Sequence, residues 1–456
     1  MFFDDNPRFD YNKEPARDIL CCDCKSFYSS VECAERGLDP LTTKLVVMSY
    51  PANDDGTRGS GLTLAASPAA KAAYGITNVS RARDLPFPYP DDLWIVPPRM
   101  NLYMQKNAEI NNIYRKYADE KNHSVYSVDE SFLDITDSLK LYNCETTDQL
   151  ARLIQIDVYR NTGIYVTVGI GDNPTQAKIA LDIYSKHNRT MRGEIRYETV
   201  QEKIWSIDQL TDVWGIGKKT AEKLHKMNIH TMYDLAHADY YRLKSKFGII
   251  GTQMYAIAWG IDRSFLGQKY EPKSKSIGNS QVLNKDYTRK EELQIVIREM
   301  ADQVATRLRR AGAKTECVSL WCGYSLNYFD QQGKTSFHQQ IRVPLTNSSK
   351  EIAEYLLILL DKHYKRQDIR NIGVNCSRLT YTTAFQMNLF QEPEKQLDDH
   401  KIDFVIDNVR KKYGFQSIVR AHSLLEGARA IERSSLVGGH AGGMSGIEGD
   451  PNGQAY

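Results

Sequence analysis

The sequence lacks any long apolar segment and any strong excess of charge of one sign. No apolar run in its 456 residues approaches the ~18 residues that a membrane-spanning helix needs. The start, Met1-Phe2-Phe3-Asp4-Asp5, lacks the basic residues and the apolar stretch of a signal peptide. A formal net charge of +2 excludes a uniformly basic coat, so contact with nucleic acid would need local patches. We therefore expect a cytoplasmic protein that has no membrane partner.

Cysteine is also scarce, and its spacing fits neither a disulfide framework nor a zinc site. Four of the eight cysteines, Cys21, Cys22, Cys24 and Cys33, lie close together on strand-like or helix-like sequence, without a nearby His or a second spaced Cys pair. This pattern indicates reduced thiols. With 41% hydrophobic and 25% charged residues, the chain has the composition of an ordinary soluble protein of three or four domains.

Residues 124–136 carry the clearest chemical pattern that the sequence contains. Two short runs rich in Val, Ile, Tyr, Phe and Thr flank the polar Asp129-Glu130-Ser131, which predicts a β-hairpin with two carboxylates at or beside its turn. Adjacent buried carboxylates favour a hard cation such as Mg²⁺. The alternative is a solvated hairpin tip, since turns are rich in Asp.

A second acidic position lies far upstream, at Asp23. The apolar residues 18–22 predict a buried strand that Asp23 interrupts, and Phe27 and Val31, four residues apart, predict the start of a helix after an acidic turn. Residues 1–17 are polar and irregular, and we expect them to lie on the surface as a leader.

These two segments together resemble the catalytic motifs of the Y-family translesion DNA polymerases, and most closely those of the bacterial UV-damage repair branch, the UmuC-like and UvrX-like proteins. The resemblance covers roughly residues 18–390 and implies an α+β multidomain fold, shaped like a right hand. The implied domains are a palm at residues 1–26 and 95–190, fingers at 27–94, a helical thumb at 191–268, an α/β little finger that binds DNA at 276–384, and a C-terminal tail at 385–456.

The resemblance also implies a two-metal site. Asp23, Asp129 and Glu130 would hold two Mg²⁺ ions, or Mn²⁺, with the backbone carbonyl of Cys24 as a further ligand. Successive strand residues point to opposite faces, so Asp129 and Glu130 share a site only if the hairpin tip departs from regular pleating. Phe27 and Tyr28 would contact the incoming nucleotide, with Tyr28 as the steric gate against a ribose 2′-OH; the alternative is a core tyrosine beside Phe27.

Basic residues expected to bind the triphosphate do not fall at the family's usual positions. In the predicted helix that starts at Ser67-Pro68 and ends at Gly75, the expected position is Ala72, and Lys71 or Arg58 would supply the cation instead. Lys71 could equally lie on a solvated helix face. A second lysine is expected seven residues after Lys178, where Ser185 stands and Lys186 is its neighbour, so we assign that role to Lys186.

Residues 213–224 match a helix-hairpin-helix motif. Gly215 and Gly217 would let the backbone approach a DNA phosphate, with Lys218 and Lys219 at the start of the following helix. The alternative is a tight turn between helices that does not contact DNA. Residues 166–180, which contain a lone Gly-x-Gly, match the family's strand, turn and helix at the end of the palm better than a nucleotide-binding loop.

Residues 269–275 form a basic, Pro-containing linker, and the strands and helices predicted beyond it follow the order of the little finger. Residues 270–380 hold 18 Lys and Arg against 12 Asp and Glu, and this surplus should grip the DNA backbone, with Lys275, Ser276 and Gly278 among the contacts. Gln386-Met387-Asn388-Leu389-Phe390 resembles the peptide that docks bacterial polymerases on the sliding clamp, through Gln386, Leu389 and Phe390. A further helix is predicted at residues 402–413, and the Gly-rich stretch from Val437 onward is predicted to be disordered.

The leading hypothesis is a monomeric, error-prone translesion DNA polymerase that acts on primer–template DNA and dNTPs in DNA repair. A catalytically inactive adaptor that binds DNA and the clamp is the alternative, and the displaced Lys71 and Lys186 favour it. A palm-fold nucleotide cyclase would use the same metal chemistry, but it would leave the helix-hairpin-helix motif and the clamp peptide unexplained.

Overall fold

The computed structural model describes residues 9–50, 57–59, 61–268, 272, 274–326, 328–382, 393–437 and 440–441. The chain divides into two units, the first ending at Lys269 and the second beginning at Tyr270. The described elements of the first unit are β1 (Ile19–Cys24), α1 (Phe27–Ala34), β2 (Leu45–Met48), β3 (Thr63–Ala66), α2 (Pro68–Tyr74), β4 (Trp94–Val96), α3 (Met100–Tyr114), β5 (His123–Val125), β6 (Glu130–Asp134), α4 (Ser138–Leu141), α5 (Thr147–Thr162), β7 (Val166–Gly171), α6 (Pro174–Ile179), β8 (Arg192–Ile195), α7 (Val200–Lys203), α8 (Lys218–His225), α9 (Met232–Ala236), α10 (Tyr240–Phe247) and α11 (Ile249–Ala258). The second unit contains β9 (Ile277–Tyr287), α12 (Lys290–Arg310), β10 (Ala313–Tyr324), β11 (Ser336–Thr346), α13 (Ser349–His363), β12 (Ile369–Tyr381), α14 (Pro393–Tyr413), α15 (Ala430–Arg433), β13 (Leu436–Val437) and β14 (His440–Ala441).

A five-stranded sheet in the order β5-β6-β1-β7-β8 lies at the centre of the first unit. Strand β1 pairs antiparallel with β6 and β7, and β7 pairs parallel with β8. The residues Ile19 to Cys22 are fully buried, as their apolar run predicts. Helix α6 packs on the face that carries Ile19, Cys21 and Phe132.

Asp23 lies inside β1, which corrects the prediction that an acidic turn interrupts this strand. Asp23 pairs with Glu130 on one side and with Thr167 on the other, so its backbone belongs to the sheet. The turn follows at Lys25 and Ser26, where Ser26 has a φ of 50°. The strand continues through Asp23 because ladder hydrogen bonds on both sides satisfy its backbone, whatever the polarity of the side chain.

A small three-stranded sheet, β3-β2-β4, forms with α2 and a separate apolar core the region predicted as fingers. Helix α2 begins and ends as the sequence predicts: Ser67 Oγ accepts a hydrogen bond from the Ala70 N–H, and Gly75 follows with a φ of 64°. The predicted boundary between residues 94 and 95 falls inside β4. Trp94 pairs with Leu45 and Val96 with Val47, so β4 belongs to this sheet.

Tyr11 and Glu14 pack against residues 197–263, so the predicted surface leader is wrong at Glu14, whereas Asn12 and Lys13 are exposed. The Tyr11 ring stacks on Tyr197 at 5.0 Å, and its hydroxyl donates to the Trp259 carbonyl. Glu14 is buried and forms an ion pair with Arg263. The polar residues are retained inside because each has a partner there.

The second unit is a β-α-β-β-α-β arrangement whose sheet has the antiparallel order β11-β10-β12-β9. Helices α12 and α13 pack against the sheet around one apolar core. The order of strands and helices agrees with the sequence prediction.

Within the described residues beyond this sheet, α14 packs back onto α12. Helix α14 begins at Pro393, earlier than the predicted residue 402. It is held by ion pairs between Arg309 and both Asp403 and Asp407, and between Arg410 and Asp302. Val437 pairs with His440 in a short ladder, where the sequence predicts disorder from Val437 onward.

Two further findings concern the composition. All eight cysteines are unpaired thiols. Among the residues that the structure describes, no helix has the length and the apolar character needed to cross a membrane.

Candidate active site

The predicted carboxylates meet at one end of the central sheet. Asp23 on β1 and Glu130 on β6 lie directly opposite each other in the antiparallel register, so both side chains belong to the same face. This is the face on which α6 packs. Asp129 directly precedes β6, and its carbonyl accepts a hydrogen bond of 2.9 Å from the Cys24 N–H. The hairpin and the first strand therefore converge at the three acids that the sequence predicts.

The tip of the hairpin departs from regular pleating, as sharing of a site by Asp129 and Glu130 requires. The N–H groups of Tyr126 and Ser127 both donate to the Glu130 carbonyl, at 2.9 and 3.0 Å. Ser127 Oγ donates to Asp129 Oδ1 at 2.8 Å, and the Asn107 amide donates to the Val128 carbonyl. Two donors at one carbonyl place one extra residue opposite Glu130, which frees Asp129 from strict alternation.

Two lysines from the neighbouring helix form ion pairs with these acids. Lys178 Nζ lies 2.7 Å from Glu130 Oε1 and 3.1 Å from Asp182 Oδ2. Lys186 Nζ lies 3.1 Å from Asp23 Oδ2 and 2.9 Å from Asp182 Oδ1. Asp182 thus bridges the two cations, and each cation also holds one of the predicted metal ligands.

The close approach of this helix to β7 depends on two glycines. A Cβ on Gly169 would lie 2.0 Å from the Ala177 carbonyl oxygen, and one on Gly171 would lie 2.5 Å from the Ala177 N. Any larger residue would push α6 off the sheet and carry Lys178 away from Glu130. The Gly-x-Gly pattern therefore serves helix–strand packing, which agrees with the interpretation preferred from sequence.

A π-helical turn at Ala180–Ser185 explains the displaced lysine. Ser185 Oγ contacts the carbonyl oxygens of Val168 at 2.6 Å and of Ala180 at 3.0 Å, so Ser185 is buried and turned away from the acids. A π turn takes one more residue than an α turn. That extra residue brings Lys186, eight residues after Lys178, to Asp23, where an α-helix would bring the residue at position 185.

Burial dominates the electrostatics of Asp23. It raises the pKa of this carboxyl to about 6, the neighbouring charges of Asp129 and Glu130 act in the same direction, and Lys186 opposes them. Burial also disfavours the charged form of Lys178, yet the contact with Glu130 raises the pKa of this lysine above its ordinary value. The site therefore concentrates negative charge that the lysines only partly offset.

Lys71 approaches the same region from α2. Its Nζ lies 3.3 Å from Ser26 Oγ, and burial together with the charges of Lys25 and Lys186 lowers its pKa. It does not project from a solvated helix face. Arg58 takes a different position: it donates to the Arg83 carbonyl at 3.0 Å and lies 5.1 Å from the Phe87 ring centroid.

Tyr28 lies beside this cluster on α1. Its ring stacks on Tyr103 at 4.5 Å with an interplanar angle of 16°, and it remains partly exposed. Burial and the charge of Asp129 raise its pKa. Phe27 is buried in the core, so of the two aromatic residues predicted to contact a nucleotide only Tyr28 has an open surface.

The helix-hairpin-helix turn has the expected backbone. Gly215 has a φ of 91°, which favours glycine, and Gly217 is the N-cap of α8. Lys218 and Lys219 are exposed in its first turn. The Ile216 N–H donates to the Val213 carbonyl at 3.1 Å, so the N–H groups of Lys218 and Lys219 at the start of α8 are the ones suited to an anion.

The predicted contacts of the second unit lie at the start of its edge strand β9. Lys275 and Ser276 are exposed, and Lys275 Nζ lies 5.9 Å from the Tyr381 ring centroid. Gly278 lies against β12, where a Cβ would come within 2.6 Å of Asn375 Oδ1. The peptide Gln386–Phe390 lies outside the described residues.

The donor set fits a hard divalent cation. Three carboxylates and the Cys24 carbonyl are oxygen ligands of the kind that Mg²⁺ and Mn²⁺ take. In the described part of the chain, no group of three or more His, Cys, Asp or Glu side chains has the arrangement needed to hold a metal ion, and Lys178 and Lys186 form ion pairs with Glu130 and Asp23. The ligand atoms therefore suit Mg²⁺ or Mn²⁺, whereas the carboxylates of Glu130 and Asp23 are paired with lysines in this structure.

Sequence analysis did not assign a role to Lys178 or Asp182. Lys178, Asp182 and Lys186 stand at i, i+4 and i+8, a spacing that marks one face of a helix and a pair of ion-pair positions. The sequence therefore shows that these three side chains share a helix face. It does not show which surface of the protein that helix face packs against.

Comparisons with known proteins agree on one family. Family models match residues 22–182 (impB/mucB/samB family), 197–229 (the helix-hairpin-helix motif of the same family) and 274–389 (the C-terminal domain of that family). A Bacillus subtilis (strain 168) protein named "Putative UV-damage repair protein UvrX" is 38% identical over 94% of this chain and 99% of its own length. "DNA polymerase IV 2" of the same organism is 33% identical, over 92% of this chain and 98% of its own length.

A solved structure shares the fold. A Y-family DNA polymerase chimera superposes with a TM-score of 0.62 at 21% sequence identity, over 80% of this chain and the whole of its own. The fold is thus the mixed α/β palm with a helix-hairpin-helix thumb and an antiparallel-sheet little finger.

Proposed function

The chain belongs to the impB/mucB/samB family of Y-family DNA polymerases, and we propose that it is a template-directed, error-prone polymerase that inserts deoxynucleotides opposite damaged template bases. Its substrates are primer–template DNA and dNTPs, and its place is DNA repair and damage tolerance in the cytoplasm. No separate acidic cluster in the sequence suggests a proofreading exonuclease.

The observation that carries this proposal is the register that sets Asp23 opposite Glu130, with Asp129 freed beside them by the irregular hairpin tip. Asp23, Asp129, Glu130 and the Cys24 carbonyl would hold two divalent cations. When bound, such ions supply charge stabilisation to an attacking hydroxyl and to a leaving pyrophosphate. Lys178 and Lys186 neutralise Glu130 and Asp23 in the structure described here.

The lysines around Asp23 are suited to hold the triphosphate. Lys25, Lys71 and Lys186 lie close enough that the charges of Lys25 and Lys186 lower the pKa of Lys71, an arrangement that an anion would relieve. A polyphosphate carries the charge needed to balance three cations. Lys71 and Lys186, rather than Arg58, are therefore the triphosphate-binding residues of this proposal.

Tyr28 orients the sugar of the incoming nucleotide and excludes ribose. Stacking on the buried Tyr103 fixes the ring, and the Tyr103 hydroxyl donates at 2.7 Å to Glu32, which Arg99 also holds. A ring with this support does not swing aside to admit a 2′-OH. The Tyr28 ring excludes the 2′-OH by steric clash, and this requires no hydrogen bond from Tyr28.

The grip on DNA is mainly a grip on its backbone. The N–H groups at the start of α8, with the side chains of Lys218 and Lys219, would bind a phosphate of the duplex. Lys275, Ser276 and Gly278 on β9 would do the same in the second unit. Contacts of this type ignore base sequence, tolerate a lesion, and make affinity fall with salt.

We also retain the bacterial sliding clamp as a partner, through Gln386, Leu389 and Phe390. This part of the proposal rests on the sequence of the pentapeptide and its place directly after the last strand of the little finger. The protein would work as a monomer.

A catalytically inactive adaptor that binds DNA and the clamp remains the second candidate function. The observation that favours it is the pairing of Glu130 with Lys178 and of Asp23 with Lys186, which satisfies two of the acids without a metal. A polymerase has to break these ion pairs before the two acids can bind metal ions, whereas an adaptor can keep them.

Primer extension separates the two. Wild type and the double variant Asp129→Ala/Glu130→Ala are compared on templates that carry an abasic site or a thymine dimer, with Mg²⁺ and dNTPs. Extension past the lesion by wild type alone supports the polymerase and its carboxylates. If wild type binds primer–template but extends neither damaged nor undamaged DNA, even with the clamp added, the adaptor is the better account.

A further inference from the structure

Tyr126 and Trp214 form an exposed aromatic pair that joins the catalytic hairpin to the thumb. The Trp214 indole Nε1–H donates to the Tyr126 hydroxyl at 2.9 Å, and the rings meet edge to face at 6.1 Å and 73°. Each residue keeps 47% of its surface exposed. Both belong to the first unit.

On one side, the pair borders the predicted metal ligands. Tyr126 opens the hairpin tip, and its N–H donates to the Glu130 carbonyl. Lys178 Nζ lies 5.9 Å from the Tyr126 ring centroid and 2.7 Å from Glu130 Oε1. The Lys178 side chain thus connects the Tyr126 ring to the Glu130 carboxylate.

On the other side, the pair borders the helix-hairpin-helix turn. Trp214 directly precedes Gly215, where the backbone takes its positive φ before Gly217 caps α8. Val213 and Ile216, the apolar neighbours of Trp214 along the chain, are buried in the thumb core, whereas Trp214 points outward. The apolar core of the thumb thus forms without a contribution from the Trp214 indole.

Exposed aromatic faces of this size are costly to leave in water, and at a nucleic-acid site they commonly receive sugars and bases. A strand whose phosphate lies on the turn after Gly215, and whose end reaches Glu130, has to cross the surface between these two points. Tyr126 and Trp214 occupy that surface, and the buried Lys178 connects the Tyr126 ring to Glu130.

We propose that Tyr126 and Trp214 form a seat for the last nucleotides of the primer strand, and that their hydrogen bond holds the hairpin and the thumb turn in register with that strand. This inference rests on the proposed polymerase function. It adds two positioning residues that act on the primer end, through ring contact with the sugar faces and through the link between the two elements.

The test compares Trp214→Ala with the control Trp94→Ala, an indole on β4 of similar exposure, 49%, that has no part in the site. Binding is measured by fluorescence anisotropy in EDTA, on a recessed primer–template and on the single-stranded template alone. Trp214→Ala should bind primer–template roughly tenfold more weakly, the loss of about 1.4 kcal/mol expected for one ring contact with its hydrogen bond. Its affinity for the single strand, and both affinities of Trp94→Ala, should change less than about twofold.

Two further measurements separate a seat from a purely structural contact. The emission of Trp214, obtained as wild type minus Trp214→Phe, should be quenched by primer–template and not by single-stranded template. Tyr126→Phe keeps the ring and loses the hydroxyl, so it should retain binding within about threefold, the scale of one exposed hydrogen bond. Melting temperatures check that all variants fold.

The seat is overturned if Trp214→Ala, folded, binds primer–template like Trp94→Ala, or if the Trp214 emission does not respond to the primer end. Neither measurement uses catalysis, so a failure of the seat can be told apart from a failure of the proposed function. A wild type that extends primers without these effects retains the polymerase and loses the seat. A wild type that shows the quenching and never extends a primer retains the seat and loses the polymerase.

Discussion

Two clusters of partly or fully buried charge in this molecule are built from similar groups and balanced differently. The palm cluster consists of Asp23, Glu130 and Asp182 with Lys178 and Lys186. The C-terminal network consists of Asp302, Asp403 and Asp407 with Arg309, Arg410 and Arg420. In the network every aspartate has an arginine; in the palm cluster two lysines share three acids, and Asp129 adds a fourth beside them.

The pKa of a central carboxyl in each cluster records this difference. Burial raises the pKa of Asp23 to about 6, and the opposing charge of Lys186, which also pairs with Asp182, does not reverse this shift. Burial acts on Asp302 in the same direction, yet Arg410 and Arg420 reverse it and hold the pKa below its ordinary value. A cluster that stabilises the fold satisfies its acids, whereas one that must receive a further cation leaves negative charge uncompensated.

Among these predictions, Asp23→Asn should have the largest effect, and it should reduce activity without reducing stability. The amide keeps the shape and loses the metal-binding charge, so primer extension should drop at least about 1,000-fold, equivalent to ~4 kcal/mol of transition-state stabilisation. The melting temperature should stay the same or rise, because a buried carboxyl with a raised pKa opposes folding at neutral pH. A parallel loss of activity and melting temperature would show that Asp23 is structural.

Arg410→Met should have the opposite outcome. It leaves Asp302 buried with Arg420 as its remaining arginine, and breaking a buried pair costs about 3–5 kcal/mol. Hydrogen exchange in α12 and α14 measures this loss, and extension per folded molecule at low temperature should be unaffected. The control is Lys401→Met, whose ion pair with Asp398 is exposed and worth about 0–1 kcal/mol. Equal effects of the two variants would remove the distinction between the clusters.

Within the palm cluster, Lys186→Met tests whether Lys186 binds the triphosphate. Loss of one phosphate contact should raise the KM for dNTP about tenfold, ~1.4 kcal/mol, with the Kd for primer–template unchanged. Lys186→Arg should restore part of the affinity. Lys116→Met, which breaks an exposed pair with Asp157, serves as the control. An unchanged KM would return the triphosphate contact to Lys71 or Arg58.

Mild acid should act on the first unit through His123, by the smallest of these effects. Burial and Arg115 lower the pKa of His123 to about 4 from its ordinary 6.5, so the stability it contributes is complete above pH 6.5 and is lost as the pH falls toward 4. Allowing for solvent screening, this is about 1–2 kcal/mol. Asp302, with its lowered pKa, keeps its contribution until stronger acid.

The measurement is urea unfolding at pH 7 and pH 5, followed by hydrogen exchange in each unit. Asp23 has the opposite sign, because its raised pKa makes stability increase as the pH falls below about 6. The difference between wild type and His123→Gln isolates the histidine. If that difference does not depend on pH, His123 does not carry the effect.

The local parts of the site could be predicted from sequence. The hairpin at residues 124–136, the strand before Asp23 and the helix from Pro68 to Tyr74 follow from short-range pattern and capping, and each is present. The turn assigned to Asp23 and the surface position of Glu14 were wrong, and the predicted boundary between residues 94 and 95 falls inside β4. Each of these depends on a partner distant in the sequence.

The chemistry of the site follows from sequence alone: which residues are acidic, the turn that carries Asp129 and Glu130, and the glycines of the thumb. The cations that face those acids follow from three-dimensional packing. Lys178 and Lys186 reach Glu130 and Asp23 because Gly169 and Gly171 let α6 lie directly on β7, and because a π turn adds one residue between them. Packing distances and helix register of this kind depend on two segments at once, so no pattern within either segment records them.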